Sequence, residues 1–180
     1  EHGDDTTLLL DIASLSVDEG DYARAADFYV RVVDLNEADT DAGNDADNKA
    51  MLMSAGSWYA IKAVGRYEDA IAALDRVANL DMLISDRTML ARARTYYKYG
   101  MKLKEDAALE QDEILKADLL AESQAQLARS VEIGVAMTNN FPANADGFLA
   151  LSMAQVETGD FNASEANYKT YSELTEQVIP

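Results

Sequence analysis

Gly65-Arg66-Tyr67-Glu68-Asp69-Ala70-Ile71-Ala72-Ala73-Leu74 decides the fold, because its first three residues recur as Gly20-Asp21-Tyr22 and Gly159-Asp160-Phe161. Each marker has a helical pattern on both sides. Glycine ends a helix where positive φ is cheap, and a polar residue turns the chain. The ring that follows is expected to pack between the two helices. The markers stand 45 and 94 residues apart, the second interval being two steps of 47, so an unmarked unit belongs between the second and third. After each marker a small residue precedes a large one by four positions: Ala25 and Tyr29, Ala70 and Leu74, Ser164 and Tyr168. Residues four apart share a helix face, so the small one admits a neighbouring helix and the large one fills the groove beside it.

The same periodicity extends outward to eight helices, predicted over 6–19, 22–37, 47–63, 67–79, 86–108, 112–139, 144–158 and 161–176. Ile114, Ala117, Ala121, Ala125, Ala128, Val131 and Val135 form one apolar stripe at helical spacing, which makes the sixth helix long. Asp112 is placed as its N-cap. A polar run from Asp39 to Asn48 reads as a loop.

These hairpins resemble the tetratricopeptide repeat (TPR) family. The first helix of that repeat carries a large residue, a small pair and an aromatic, matched by Leu52, Ala55-Gly56 and Tyr59. Phe148 and Leu151-Ser152 stand in the same places in the last unit, and Leu9 and Ile12-Ala13 in the first. Phe141-Pro142-Ala143-Asn144-Ala145 is similar to the linker between consecutive repeats. The resemblance implies an all-α, right-handed αα-hairpin solenoid in one domain over 1–180, with repeats at about 6–38, 47–80, 86–141 and 144–177. The steps of 45 to 47 exceed the family period of about 34 residues, so helices or linkers are longer here. The third unit departs further, having no Gly-aromatic turn. The resemblance also implies a concave face for a peptide or helix, which would include Leu10, Ser14, Met53, Ser57, Leu149 and Met153.

Composition narrows the function. With 33 acidic and 15 basic residues the chain carries −18, a surface that repels polyanions at long range. No run approaches the roughly 18 apolar residues of a membrane span, so no membrane partner is expected. The chain has no cysteine, and its single histidine is His2, which leaves no histidine for a catalytic triad or a zinc site. No phosphate-cradling glycine pattern occurs among the nine glycines. Asp39, Asp41, Asp45 and Asp47 alternate as calcium ligands do, yet the glycine and glutamate that a calcium loop needs are Asn44 and Ala50. A non-enzymatic protein without metal or cofactor is expected. A start at Glu1 without initiator Met is what signal-peptide removal leaves, so a secreted or periplasmic setting is favoured over a cytoplasmic one.

One tract breaks the acidic pattern. Arg87, Arg92, Arg94, Lys98, Lys102 and Lys104 face Asp86 alone, and Tyr96, Tyr97 and Tyr99 stand among them. Cations with interleaved rings suit single-stranded nucleic acid, whose phosphates they neutralise and whose bases they stack upon. They equally suit pairing with acidic helices of this chain or of another copy. Repeat arrays also need polar end caps. Leu8, Leu9, Leu10 and Ile12 open the first helix, and Tyr171, Val178 and Ile179 close the last. The reading is a protein-interaction scaffold whose partner is another copy of itself, joined end to end into an oligomer or filament. The alternative is a nucleic-acid-binding repeat protein using 87–104.

Overall fold

A computed structural model describes residues 5–38, 45–80 and 85–176. Among them every regular element is a helix: α1 (Thr6–Asp18), α2 (Tyr22–Ala38), α3 (Asp45–Tyr59), α4 (Tyr67–Leu80), α5 (Asp86–Leu109), α6 (Glu113–Asn140), α7 (Ala145–Thr158) and α8 (Phe161–Glu176). Consecutive helices pair as four αα-hairpins. The chain divides into two compact units, Glu1–Leu83 with α1 to α4 and Ile84–Pro180 with α5 to α8.

Local chemistry sets the helix ends. Asp5, Ser85, Asp112 and Asn144 are N-caps whose side chains accept the first free amides of α1, α5, α6 and α7. Gly20, Gly65 and Gly159 take the left-handed conformation at φ of 78°, 67° and 84°, as the three markers require. After Gly159 the amide of Asp160 returns to the carbonyl of Gln155 at 2.9 Å, closing α7. α3 stops at Tyr59 rather than running to 63. There the Ile61 and Val64 amides donate to the carbonyls of Trp58 and Ile61, three residues back, so the helix tightens and ends.

In the first unit, Val33, Leu52, Ala73 and Val77 form a core that joins α2, α3 and α4. Gly56 lets α4 come close: a Cβ there would lie 2.7 Å from Leu74 Cγ and 3.2 Å from the Ala70 carbonyl. The second unit repeats this crossing at Gly100, where a Cβ would lie 2.7 Å from Leu127 Cγ and 3.1 Å from the Ser123 carbonyl. The third hairpin therefore has the same small-and-large pair, Ser123 and Leu127, without the glycine turn that marks it elsewhere. Two serines reinforce it across the helix pair: Ser123 Oγ donates to the Gly100 carbonyl at 2.7 Å, and Ser130 Oγ to that of Ala93 at 2.8 Å.

α6 turns Ser123, Leu127, Ser130, Ile133, Gly134 and Met137 inward. The stripe of Ile114, Ala117, Ala121, Ala125, Ala128 and Val135 lies on the exposed side, with Val131 half-buried. Its helical spacing is real, yet the buried contact belongs to the opposite face, where small side chains and cross-helix hydrogen bonds stand in for bulk.

The rings of the three markers differ in their surroundings. Tyr67 is buried, whereas Tyr22 lies at the surface against the Trp58 ring, 6.3 Å between centroids. Phe161 is 67% exposed and does not pack between helices as expected. It opens α8, which rests on α7.

Candidate functional site

Within the first unit, α1, α2 and α3 leave a groove of about 350 Å³ lined by Thr6, Leu10, Val32, Asn36, Asp47, Ala50 and Met51. Leu10, Val32 and Met51 supply its apolar surface, while Thr6, Asn36 and Asp47 supply hydroxyl, amide and carboxylate. Asn36 Nδ2 donates to Oδ1 of the buried Asn48 at 2.7 Å, which fixes the amide at the groove wall. An apolar side chain on an extended segment fits such a lining, with Asp47 placed to accept from a nearby cation or amide.

The expected concave-face residues are distributed unevenly about this groove. Leu10 is exposed and lines it; Ser14 and Ser57 are exposed and do not. Met53 is half-buried against the Val33–Leu52 core, leaving the groove to Met51, two positions earlier. In the second unit Leu149 is half-buried and Met153 exposed. Val32 and Asn36 were not singled out by sequence reasoning, and Asp47 was weighed only as a calcium ligand. Val32 and Asn36 are four apart on α2, so their shared face is readable, but nothing in one sequence shows that α1 leaves that face partly open.

The basic tract on α5 is closely engaged with acids of its own unit. Lys104 Nζ donates to Glu157 Oε2 at 2.7 Å, Arg94 Nη2 lies 3.4 Å from Asp146 Oδ1, and Lys102 pairs with Asp106. Tyr99 donates its hydroxyl to Glu122 Oε1 at 3.0 Å. Tyr96 packs beside the Met89–Met137 core. Burial pushes the Tyr97 hydroxyl above its ordinary pKa, and Glu157 adds to the shift while Lys104 opposes it. Arg92 and Lys98 also have partners, and Arg87 is exposed at the start of α5.

A second polar cluster braces the first unit. Asp27 Oδ1 accepts from Tyr59 Oη at 2.6 Å and from Arg66 Nη1 at 2.7 Å, while Arg66 Nε donates to Asp69 Oδ2 at 2.6 Å. The guanidinium lies 4.4 Å from the centre of the Tyr59 ring. Burial and the bond to Asp27 raise the Tyr59 pKa far above its usual value. Burial alone would lower the Arg66 pKa, and the bonds to Asp69 and Asp27 outweigh it. Arg76 reaches Asp34 and Glu37 at 2.9 Å each, and with Asp27, Tyr59, Arg66 and Asp69 it lines a second groove of about 230 Å³.

The residues expected to mediate self-association divide as well. Leu8 is exposed, but Leu9 belongs to the core, as the next residue on a helix points about 100° away. Leu15, seven residues after Leu8 and on its face, is 61% exposed. Tyr171 is half-buried, and its ring lies 5.7 Å from that of Tyr168, which is 54% exposed. Val178 and Ile179 lie outside the described residues, as do Asp39 and Asp41. Asp45 and Asp47 occupy the first turn of α3, where carboxylates favour the positive end of the helix dipole.

Four αα-hairpins, three of them turned at a left-handed glycine, with small-on-large crossings in the second and third, define an all-α helical-hairpin fold. Solved structures similar to this chain include the MamA RS-1 ArsTM double mutant, at 16% identity and TM-score 0.40, with 98% of each chain covered. Another is YrrB, described as a TPR protein with an unusual peptide-binding site, at 14% identity and TM-score 0.37, covering 98% of this chain and 89% of that one. No family model and no curated protein matches the chain. Among the described residues no helix is long and apolar enough to cross a membrane, and no group of histidines and acids is spaced to hold a metal ion.

Proposed function

We propose that this protein is a non-enzymatic interaction scaffold that associates with copies of itself through the outer faces of α1 and α8. The observation that carries the reading is the bareness of those two helices. α8 buries only Ser164 among its described residues, while Phe161 and Tyr168 stand open; α1 presents Leu8 and Leu15 on one exposed face. A contact between two different faces leaves one of each free on every pair and so propagates, into a ring where the rotation closes and a filament where it does not. The groove beside Leu10 is the second element of the scaffold, a seat for an apolar side chain of an extended peptide. The ion pairs along α5 favour a structural role for the basic tract over a phosphate-binding one. The acidic surface and low lysine content fit a protein that works outside the cytoplasm.

Light scattering after size-exclusion chromatography tests the reading, with salt as the variable. Copies carrying −18 repel one another, so apolar association strengthens as salt screens the repulsion. Binding to nucleic acid does the reverse, weakening as salt rises. Mass should increase between about 50 and 500 mM salt, where the Debye length falls below about 10 Å. Leu15→Glu or Tyr168→Glu should return the protein to monomer. A monomer at every salt and concentration defeats the proposal.

A further inference from the structure

The first unit fills a contact that the second leaves open. On α2, Tyr22 and Tyr29 stand seven residues apart, hence on one face, and both rings meet Trp58 of α3, with centroids 6.3 and 5.1 Å from it. Met51, seven residues before Trp58, lies with Val32 and Asn36 of α2. Met51 and Trp58 therefore mark the side of α3 that meets α2, while Gly56 meets α4. The Asn36–Asn48 bond joins the end of α2 to the start of α3, so the two helices run antiparallel.

α8 repeats the α2 side of this contact. Counted from the glycine turns at Gly20 and Gly159, Phe161, Tyr168 and Tyr171 take the places of Tyr22, Tyr29 and Val32, and Ser164 is buried where Ala25 is. α1 repeats the α3 side. With Leu9 placed on Leu52 and Ala13 on Gly56, all four of them buried, Leu8 falls on Met51 and Leu15 on Trp58. Phe161, Tyr168, Leu8 and Leu15 are all exposed, so one chain presents both halves of the contact unfilled. The inner positions differ, because the buried Ala26 and Val33 of α2 are Glu165 and Ser172 on α8. Only the aromatic edge is shared, which suits a single docked helix rather than a whole hairpin. We infer that α1 of one copy docks on the aromatic edge of α8 of another as α3 docks on α2, antiparallel and with Leu15 seated between Phe161 and Tyr168. This rests on the self-association proposed for the two outer faces, and adds which side chains meet and which way the helices run.

Cross-linking reads the register with the four apolar side chains left in place, since the chain has no cysteine of its own. Asp18 ends α1, Thr7 lies near its start and Asn162 lies at the start of α8, all three exposed. Copies carrying Asn162→Cys are mixed with copies carrying either Asp18→Cys or Thr7→Cys at about 500 mM salt, where repulsion between copies is screened, and treated with a short bis-maleimide. Mass spectrometry should find a mixed dimer with Asp18→Cys and none with Thr7→Cys. Leucine fills the seat less than the indole it replaces, so Leu15→Trp should lower the concentration at half-assembly about threefold or more, as added ring contacts do. A mixed dimer with Thr7→Cys instead means parallel helices and overturns the inference while the association of α1 with α8 stands. Dimers of Asn162→Cys with itself alone overturn it by showing that like faces meet, as does weaker assembly of Leu15→Trp than of wild type. Wild type that stays monomeric in light scattering at every salt removes both the inference and the self-association beneath it.

Discussion

The hairpins α3–α4 and α5–α6 cross in the same way and differ in what lies beyond the crossing. Gly56 meets Leu74 and the Ala70 backbone; Gly100 meets Leu127 and the Ser123 backbone at nearly identical distances. The partners stand 18 residues apart in the short hairpin and 27 in the long one. The short hairpin ends in a glycine turn braced by Arg66, Tyr59 and Asp27. The long one ends in a capped, unbraced tip. The crossing therefore dictates how two helices pack, while hairpin length is free to vary above it. A period counted between turns measures loop and arm together and misses the constant part.

The largest effect expected is from emptying the two crossings. Leu74→Ala and Leu127→Ala should each cost about 2–5 kcal/mol, since both leucines are buried and their sites cannot fully collapse. Trp58 is the only tryptophan and lies in the first unit, so its fluorescence during urea denaturation follows that unit, while far-ultraviolet circular dichroism follows both. Leu74→Ala should shift the fluorescence transition. If Leu127→Ala left the dichroism transition unmoved, the two crossings would not be equivalent.

Overfilling the crossings comes next. Gly56→Ala and Gly100→Ala gain about 1 kcal/mol of helix propensity yet place a methyl group 2.7 Å from a leucine carbon. A net loss of about 1–2 kcal/mol is expected from such overpacking, read from the same two probes. A net gain at Gly100 alone would show that the long arms part more readily than the short ones.

Smaller again is the change that makes the long hairpin resemble the short. Ala70 stands where Ser123 does, so Ser123→Ala removes one cross-helix hydrogen bond without adding bulk. A loss of about 0.5–1.5 kcal/mol is expected, measurable as a lower urea midpoint in dichroism. An unchanged midpoint would mean that close packing alone holds the crossing.

The same contrast explains what was legible in the sequence. The hairpins with a glycine turn could be placed because φ near +70° and a following aromatic leave a local signature. Asp112 could be named as a cap because capping is also local. The third crossing was harder: its small residue is a serine, and its glycine sits within a helix among tyrosines and lysines. The apolar stripe of α6 shows the limit of periodicity. Two opposite faces of that helix recur at helical spacing, and only the partner helix determines which one is buried. Of the proposed sites, Leu8 and Leu10 are exposed on α1, whereas Leu9, named with Leu8, is turned inward by its position on the helix.

The finest distinction between the hairpins is the brace at the short turn, and pH isolates it. Tyr59 is held neutral by burial and by donating to Asp27, so its folded pKa lies above the ordinary value of about 10. The stabilisation tied to the neutral phenol is complete below pH 10. It is lost as pH rises further, because the unfolded chain then releases a proton that the folded chain retains. Wild type should accordingly lose stability more steeply than Tyr59→Phe between about pH 10 and 11, by Trp58 fluorescence in urea. Below pH 9 the two should differ by a nearly constant amount, the worth of the hydroxyl bond to Asp27. Parallel curves across the whole range would mean that the phenol ionises as readily in the fold as out of it, and that Arg66 and Asp27 brace the turn without it.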